Sequence, residues 1–278
     1  MRLATVMTDA GPRAAVVRSD GVALIDGYQD VGALLRDDAG GLDAARRAGV
    51  DGAVVALDER RLLRPILRPG AVVCVGLNYR SHILEMGREL PHDPTLFSKL
   101  ARALTDPYAP IDLPDLSEQV DYEGELAAVI GTAGRNIARR DAWSHVAGLT
   151  ILNDVTVRDF QRRTIQWFAG KTFQRSTPLG PWIVTPDELG DLAARRLRLT
   201  VNGQERQCAA LGDLVFDVPA LVADLSRIIA LEPGDVIATG TPGGVGEPQG
   251  RFLRPGDEVA VTIDGIGTIR NTFRGLAA

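Results

Sequence analysis

Short apolar runs closed by glycine-, proline- and aspartate-rich turns constrain this chain more than any other feature. Near the N-terminus Leu3–Met7, Ala14–Arg18 and Val22–Ile25 alternate with Gly/Asp turns. In the middle Ala71–Val75, Glu125–Ile130 and Gly148–Leu152 are strand-like. Leu197–Val201 and Gln207–Ala210 flank an Asn202-Gly203 hairpin turn, and Val236–Thr239 and Val259–Ile263 each follow a Pro-Gly-Asp turn. Runs of this length, bounded in this way, are strands. Helical periodicity is confined to a polar stretch around Asp30–Arg47, a short segment Tyr79–Met86, and Val218–Ile229, where Leu221, Val222, Leu225, Ile228 and Ile229 share one face. There is no βαβ series and no internal repeat. An α+β fold that is mainly β is expected. It should have a small β-rich module over residues 1–68, an Arg- and Pro-rich linker at Arg60–Gly70, and a catalytic domain over 69–278.

With 278 residues, 45% of them hydrophobic, the chain can bury a substantial core. A net charge of −5 gives no basic face for nucleic acid. No apolar run approaches the roughly 20 residues needed to cross a bilayer. The start Met1-Arg2-Leu3-Ala4-Thr5-Val6 lacks a long apolar targeting segment, so a cytoplasmic location is expected. Cys74 and Cys208 are too few for a disulfide framework, and Cys74 reads as core. One bias is sharper: of 31 basic residues only Lys99 and Lys171 are lysines. A chain that uses arginine wherever any cation serves has a reason to keep a compact, tunable ammonium at two positions.

Asp121-Tyr122-Glu123-Gly124-Glu125 leads into the apolar run Leu126–Ile130. If the chain is already extended, Glu123 and Glu125 point to the same face. Like charges side by side repel, and a cation would relieve them. Asp154 follows a second apolar run. Three carboxylates without a nearby Cys or His suit Mg²⁺, Mn²⁺ or Ca²⁺ rather than Zn²⁺. On spacing alone a solvated, aggregation-resistant strand edge explains Glu-x-Glu equally well.

Three histidines occur. His82 and Glu85 stand three apart in a helical segment, the spacing of neighbours, so the carboxylate can orient the imidazole as a general base. An ordinary exposed His–Glu pair has the same spacing. His92, after a proline, reads as surface loop, and His145 as structural. The segment Thr239–Gly246 offers backbone N–H groups to an anion, or is simply a glycine-rich turn. It is not a P-loop, and no Gly-x-Ser-x-Gly elbow is present.

Taken in order, the blocks Gly76-Leu77-Asn78-Tyr79-x-x-His82-x-x-Glu85, Pro94-Thr95-Leu96-Phe97-x-Lys99, Asp121–Leu126, Asn153-Asp154-Val155-Thr156-x-Arg158-Asp159-x-Gln161, Gly170-Lys171-x-Phe173, Gly180-Pro181-Trp182 and Gly240–Gly246 resemble the fumarylacetoacetate hydrolase family over about residues 70–275. The resemblance implies a mixed β-sheet roll or sandwich, a homodimer, and one Mg²⁺-like ion held by Glu123, Glu125 and Asp154. It further implies a His82–Glu85 dyad on a segment that closes over substrate. Lys171 and Gln161 would line the metal-bound substrate, Thr241 and Gly240 would hold its carboxylate end, and Tyr79 and Lys99 would belong to the same substrate pocket. Arg80 and Arg88 lie outside the motif and are candidates for choosing the substrate.

Family substrates are small 2-oxo or 1,3-dioxo acids. The resemblance therefore implies a hydrolase that breaks a C–C bond of an acylpyruvate or fumarylacetoacetate type through an enolate. Oxaloacetate decarboxylation and 2-oxo-acid isomerisation or hydration are alternatives on the same site. A non-catalytic binding protein on this scaffold would be expected to have lost part of the triad or dyad.

Overall fold

The computed structural model describes residues 1–38 and 40–275. Ala39, inside the expected helical stretch, and residues 276–278, at the end of the expected 69–278 domain, lie outside the described residues. The N-terminal strands are β1 (Arg2–Thr8), β2 (Gly11–Arg18), β3 (Gly21–Leu24), β4 (Val54–Val55) and β5 (Leu62–Leu63). Next come β6 (Val72–Gly76), β7 (Thr95–Ser98), β8 (Leu104–Thr105), β9 (Ile111–Leu113), β10 (Val120–Asp121), β11 (Gly124–Ile130), β12 (Val146–Asn153), β13 (Thr156–Val157) and β14 (Thr177–Val184). The chain ends with β15 (Arg196–Val201), β16 (Gln204–Ala210), β17 (Val236–Ala238), β18 (Glu258–Ile263) and β19 (Gly267–Gly275). The helices are short: α1 (Val31–Leu35), α2 (Gly41–Asp51), α3 (Arg80–Glu85), α4 (Arg158–Gln161), α5 (Phe168–Lys171), α6 (Pro186–Leu189) and α7 (Val218–Ile228). Among the described residues no helix is long and apolar enough to cross a membrane.

The main sheet runs β4-β3-β2-β1-β14-β12-β11-β17-β6-β7, with β5 joined to β1 and β8 to β14. A second sheet runs β16-β15-β18-β19-β9, and β10 pairs with β13. Most pairings are antiparallel; β17 with β6, β14 with β8 and β19 with β9 are parallel. The N-terminal strands extend the main sheet through β1, whose Arg2 and Leu3 face Val184 and Ile183 of β14. The boundary expected at residue 68 thus falls between strands of one sheet. Arg60–Gly70 is not the bare linker expected from its composition. Leu62 and Leu63 pair with β1, the Thr5 hydroxyl donates to the Pro65 carbonyl (2.8 Å), and Leu67 N–H donates to Asp30 (2.8 Å).

Strand β11 is buried on both faces, which is why its sequence reads as a continuous apolar run. Period-two alternation sends Leu126, Ala128 and Ile130 into the core shared with the second sheet, beside Leu199 and Val261. Ala127 and Val129 face the opposite core, with Leu152 and Ala238 and the N-terminal Leu3 and Leu34. Gly124 belongs to the first set. A Cβ there would lie 2.9 Å from Val261 Cγ1 and 3.2 Å from Leu199 Cδ1, so a side chain between the two glutamates would collide with the second sheet. Glu123 and Glu125 therefore share the other face.

The helix that carries His82 is tied to the sheet by Asn78, which is fully buried. Its amide N–H₂ donates to the carbonyls of Phe216 (2.9 Å) and Thr239 (2.8 Å), and its carbonyl accepts from Phe216 N–H (2.8 Å). One side chain thus joins the end of β6, the approach to α7 and the end of β17. Asn78→Ala leaves these buried backbone groups unpaired. It is expected to cost about 1–3 kcal/mol, read as a lower midpoint in urea unfolding.

Candidate metal centre and active site

Three adjacent strands assemble the acidic cluster. In the register of β11 with β12, Gly124 faces Asn153, which puts Glu123 opposite Asp154; Asp154 N–H donates to the Glu123 carbonyl (2.8 Å). On the other flank β17 runs antiparallel to β11, and Gly240, just beyond it, donates its N–H to Glu125 Oε2 (2.8 Å). One carboxylate oxygen each from Glu123, Glu125 and Asp154 lies within 4.8 Å of the others, and all three residues are buried. At this separation each pair of full charges repels by about 3–4 kcal/mol at an effective dielectric near 20. Three such pairs rival the whole stability of a domain, about 5–15 kcal/mol. A solvated strand edge is excluded, and the charges require cations.

The protein supplies three. Lys171 Nζ donates to Glu123 Oε2 (2.6 Å) and Asp154 Oδ2 (2.7 Å). Lys99 Nζ pairs with Asp154 Oδ1 and donates to the Val155 carbonyl (3.2 Å). Arg158 reaches Glu123 Oε1 (2.6 Å) and clamps Asp121 through Nε (2.9 Å) and Nη2 (2.7 Å). Asp121 is itself buried and accepts the N–H groups of Gly246 (2.8 Å) and Glu247 (3.0 Å). Arg158 also lies 3.6 Å from Glu247, which Arg162 pairs at 2.6 Å, so five carboxylates against four cations leave one more acidic group than basic ones. Among the described residues Glu125 is the member of the triad with no ion pair, and burial, then Asp154 and Glu123, push its carboxyl well above the usual range. For Asp154 burial acts upward too, but Lys171 and Lys99 outweigh it and hold the carboxylate low. An all-oxygen cluster with an uncompensated charge fits a hard divalent ion. Burial alone would neutralise Lys171, yet Asp154 and Glu123 keep its ammonium charged.

Glu123 and Glu125 of the triad open into a cavity of about 490 Å³, whose lining also includes Lys171, His82, Gln161 and Thr241. Gln161 Oε1 accepts from Arg158 Nη1 (3.1 Å). The Thr241 hydroxyl donates to the Gly124 carbonyl (2.9 Å) and accepts from Gln207 Nε2 (2.8 Å). His82 is half-buried. Burial lowers its pKa below the ordinary imidazole value, against the pull of Glu85 and Glu123, so the ring is neutral at neutral pH. Among the described residues no hydrogen bond joins His82 to Glu85. Both nonetheless face Gly243, whose ideal Cβ position lies 3.1 Å from His82 Nδ1 and 3.3 Å from Glu85 Oε2. A larger cavity of about 620 Å³ lies elsewhere, beside Trp143 and Val218. Its charged lining is Arg139, Asp191 and Asp217; Arg139 pairs with Asp217 (2.7 Å) and Asp191 accepts Ala193 N–H (3.1 Å).

Three expectations change. Tyr79 is fully buried and is not among the cavity-lining residues, because the extended backbone just before α3 turns its ring into the core. Lys99 likewise sits behind Asp154, with a fully buried side chain, and holds a carboxylate rather than a substrate. The N–H groups of Gly240 and Gly246 cradle the protein's own Glu125 and Asp121, not a bound anion. Spacing gave no hint of Arg158, Asp121 or Gln207; only the inclusion of the first two in the ordered blocks marked them. Cys74 is buried, His92 is exposed, and His145 Nδ1 contacts the Thr132 carbonyl (3.0 Å).

Residues 71–274 match the family model of the fumarylacetoacetate (FAA) hydrolase C-terminal domain. Oxaloacetate tautomerase YisK of Bacillus subtilis (strain 168) is 41% identical over 222 residues, covering 78% of this chain and 74% of its own. Fumarylacetoacetate hydrolase from Exiguobacterium antarcticum superposes with a TM-score of 0.86 at 35% identity, covering 99% of this chain and 100% of its own. Maleylpyruvate hydrolase from Sphingobium sp. SYK-6, solved with manganese(II) and pyruvate, superposes with a TM-score of 0.82 at 32% identity and the same coverage.

Glu125→Gln separates charge relief from metal binding. Because the folded pKa of Glu125 lies above its unfolded one, the carboxylate costs stability as pH rises past the ordinary carboxyl range. At pH 7 the metal-free variant should melt above the metal-free wild type. Titration calorimetry should find Mn²⁺ binding to the wild type and none to the variant. Equal Mn²⁺ affinity would remove the metal from the site.

Proposed function

The chain belongs to the fumarylacetoacetate hydrolase family, and on that premise we propose that it is a divalent-metal-dependent enzyme of enol chemistry, a tautomerase of oxaloacetate or a close 2-oxo acid. One observation carries this reading: Glu123 and Glu125 of the carboxylate triad, Lys171 and His82 line the same cavity, and Asp154, fully buried, completes the triad beside them. The likeness to YisK, an oxaloacetate tautomerase, supports it. When bound, Mg²⁺ (or Mn²⁺ or Ca²⁺) polarises the 2-oxo group and lowers the cost of the enolate.

The chain's own groups divide the remaining work. Neutral His82 accepts the proton from the carbon next to the oxo group, with Glu85 opposing the loss of imidazolium charge. Lys171, an ammonium paired with Glu123 and Asp154, offers N–H to the oxygen on which negative charge develops. Gln161 and Thr241 flank the same space and position the acid. Tautomerisation relocates one proton from carbon to oxygen and consumes no other group. The homodimer expected from the family stays part of this reading, and sedimentation equilibrium tests it.

Hydrolysis of an acylpyruvate is the second reading, supported by the likeness to maleylpyruvate hydrolase. There His82 would take its proton from water, the water would attack the remote carbonyl, and Gln161 or Lys171 would face the oxyanion. Oxaloacetate decarboxylation needs the same enolate and no activated water. We place tautomerisation first because the identity to YisK is higher.

Diode-array absorbance of the enol, followed alongside pyruvate release, separates the three reactions. Enol decay without pyruvate is expected for oxaloacetate. Pyruvate from an acylpyruvate, with no acceleration of enol decay, would install the hydrolase instead. His82→Ala should slow tautomerisation by about 10²–10⁴-fold. The wild-type kcat/KM should fall on acidification through a pKa below about 6.5, as the base becomes protonated, and His82→Ala should lose that limb.

A further inference from the structure

Helix α3 does more than carry His82. It ends at Met86, and Gly87 follows in the left-handed region at φ +67°. Gly87 N–H donates to the Leu84 carbonyl (2.9 Å) and Arg88 N–H donates back to the Ile83 carbonyl (3.2 Å). These two bonds form a Schellman closure, which reverses the chain sharply at a residue that only glycine occupies without strain. Arg88 is therefore exposed yet held by its backbone at a set position, and it lines the cavity that contains the triad and His82.

The other arginines of that cavity are already engaged. Arg158 is bound to Asp121 and Glu123. Arg162 is bound to Glu247 (2.6 Å) and to Gln119 Oε1 (2.7 Å). Among the described residues Arg88 has no carboxylate partner. Its charge is felt at His82, whose pKa it lowers in company with the larger effect of burial. The same cavity has an apolar part to its wall, to which Val75, Phe97, Trp167 and Met86 contribute. The cavity thus offers two carboxylates of a cluster suited to a metal, an apolar part of its wall, and one guanidinium with no carboxylate partner among the described residues.

We propose that Arg88 is the specificity-determining residue that binds the distal carboxylate of a 2-oxo dicarboxylate, selecting it over 2-oxo acids with neutral tails. The inference rests on the enol-chemistry reading above and adds the identity of the group that recognises the far end of the substrate. A guanidinium matches a carboxylate fork, and such charge-assisted pairs are the strong ones. Arg88 touches no reacting atom, so its effect falls on binding rather than on the proton transfer.

The test compares substrates that differ only in the distal charge. Oxaloacetate and its C4 methyl ester serve for turnover, and 2-oxoglutarate and its C5 methyl ester for calorimetric binding to the Mn²⁺-loaded enzyme. Arg88→Met should raise KM for oxaloacetate by about 10- to 100-fold, with kcat nearly unchanged and the ester unaffected. Arg88→Lys should recover part of the loss. Gly87→Ala, which disturbs the closure while keeping the charge, should lower the preference for the diacid in the same direction. In binding, Arg88→Met should lose the wild-type preference for 2-oxoglutarate over its ester. Equal loss on acid and ester, or no loss on either, overturns the proposal. A wild type that turns over neither substrate overturns the functional reading alone, because the binding ratio still decides the role of Arg88.

Discussion

Four carboxylates buried beside one another place the dominant constraint on this molecule. Asp121, Glu123, Glu125 and Asp154 all sit at the ends of strands in or beside the main sheet. A buried charge without a partner is among the most costly features a fold can carry. Much of the surrounding architecture answers that cost. Lys99 and Lys171 are buried at Asp154, Arg158 spans Asp121 and Glu123, and backbone N–H groups of the glycine-rich loop cap Asp121 and Glu125. The two lysines kept in an arginine-rich chain occupy this centre, each as a compact ammonium held against Asp154.

The compensation is incomplete in a directed way. Among the described residues Glu125 has no ion-pair partner, and the three carboxylates together could hold a divalent ion. The same field holds Lys171 charged while burial keeps His82 neutral. In the proposed function these two groups take separate roles, donor and acceptor. The sheet supplies the rigidity this separation needs, since β12, β11 and β17 are hydrogen-bonded neighbours that hold the ligands in register. The specificity proposed for Arg88 comes from the turn that ends α3.

The strands and the main helices were legible from local pattern, because two-residue and 3.6-residue periodicities are properties of neighbouring residues. The run Leu126–Ile130 lies in β11, the Asn202-Gly203 hairpin lies between β15 and β16, and Leu221, Val222 and Leu225 of the expected apolar face are buried in α7, while Ile228 and Ile229 at its end are exposed. The carboxylate triad was only half legible. Period two puts Glu123 and Glu125 on one face, and the shape of Gly124 explains why, but nothing local brings Asp154 to them. That required the ordered motif blocks, and geometrically it required the β11–β12 register. The burial of Tyr79 and Lys99 was not legible for the same reason: membership of a block says that a residue belongs to the centre, not which side of a carboxylate it occupies.

What the sequence alone determined is the set of elements, the family, and the kind of atoms in the site, because these follow from short-range spacing and from residue chemistry. What only the tertiary structure decided is how charge is distributed among those atoms. The pairing of Lys171 with Glu123 and Asp154 spans strand and helix, the clamp of Arg158 on Asp121 crosses 37 positions, and the burial that neutralises His82 is set by loops remote in the chain. Electrostatic energy depends on distance and desolvation, and neither exists until the sheet has closed. The expected β-rich fold therefore stands as read, and its active centre acquires roles for each side chain only once the strands have met.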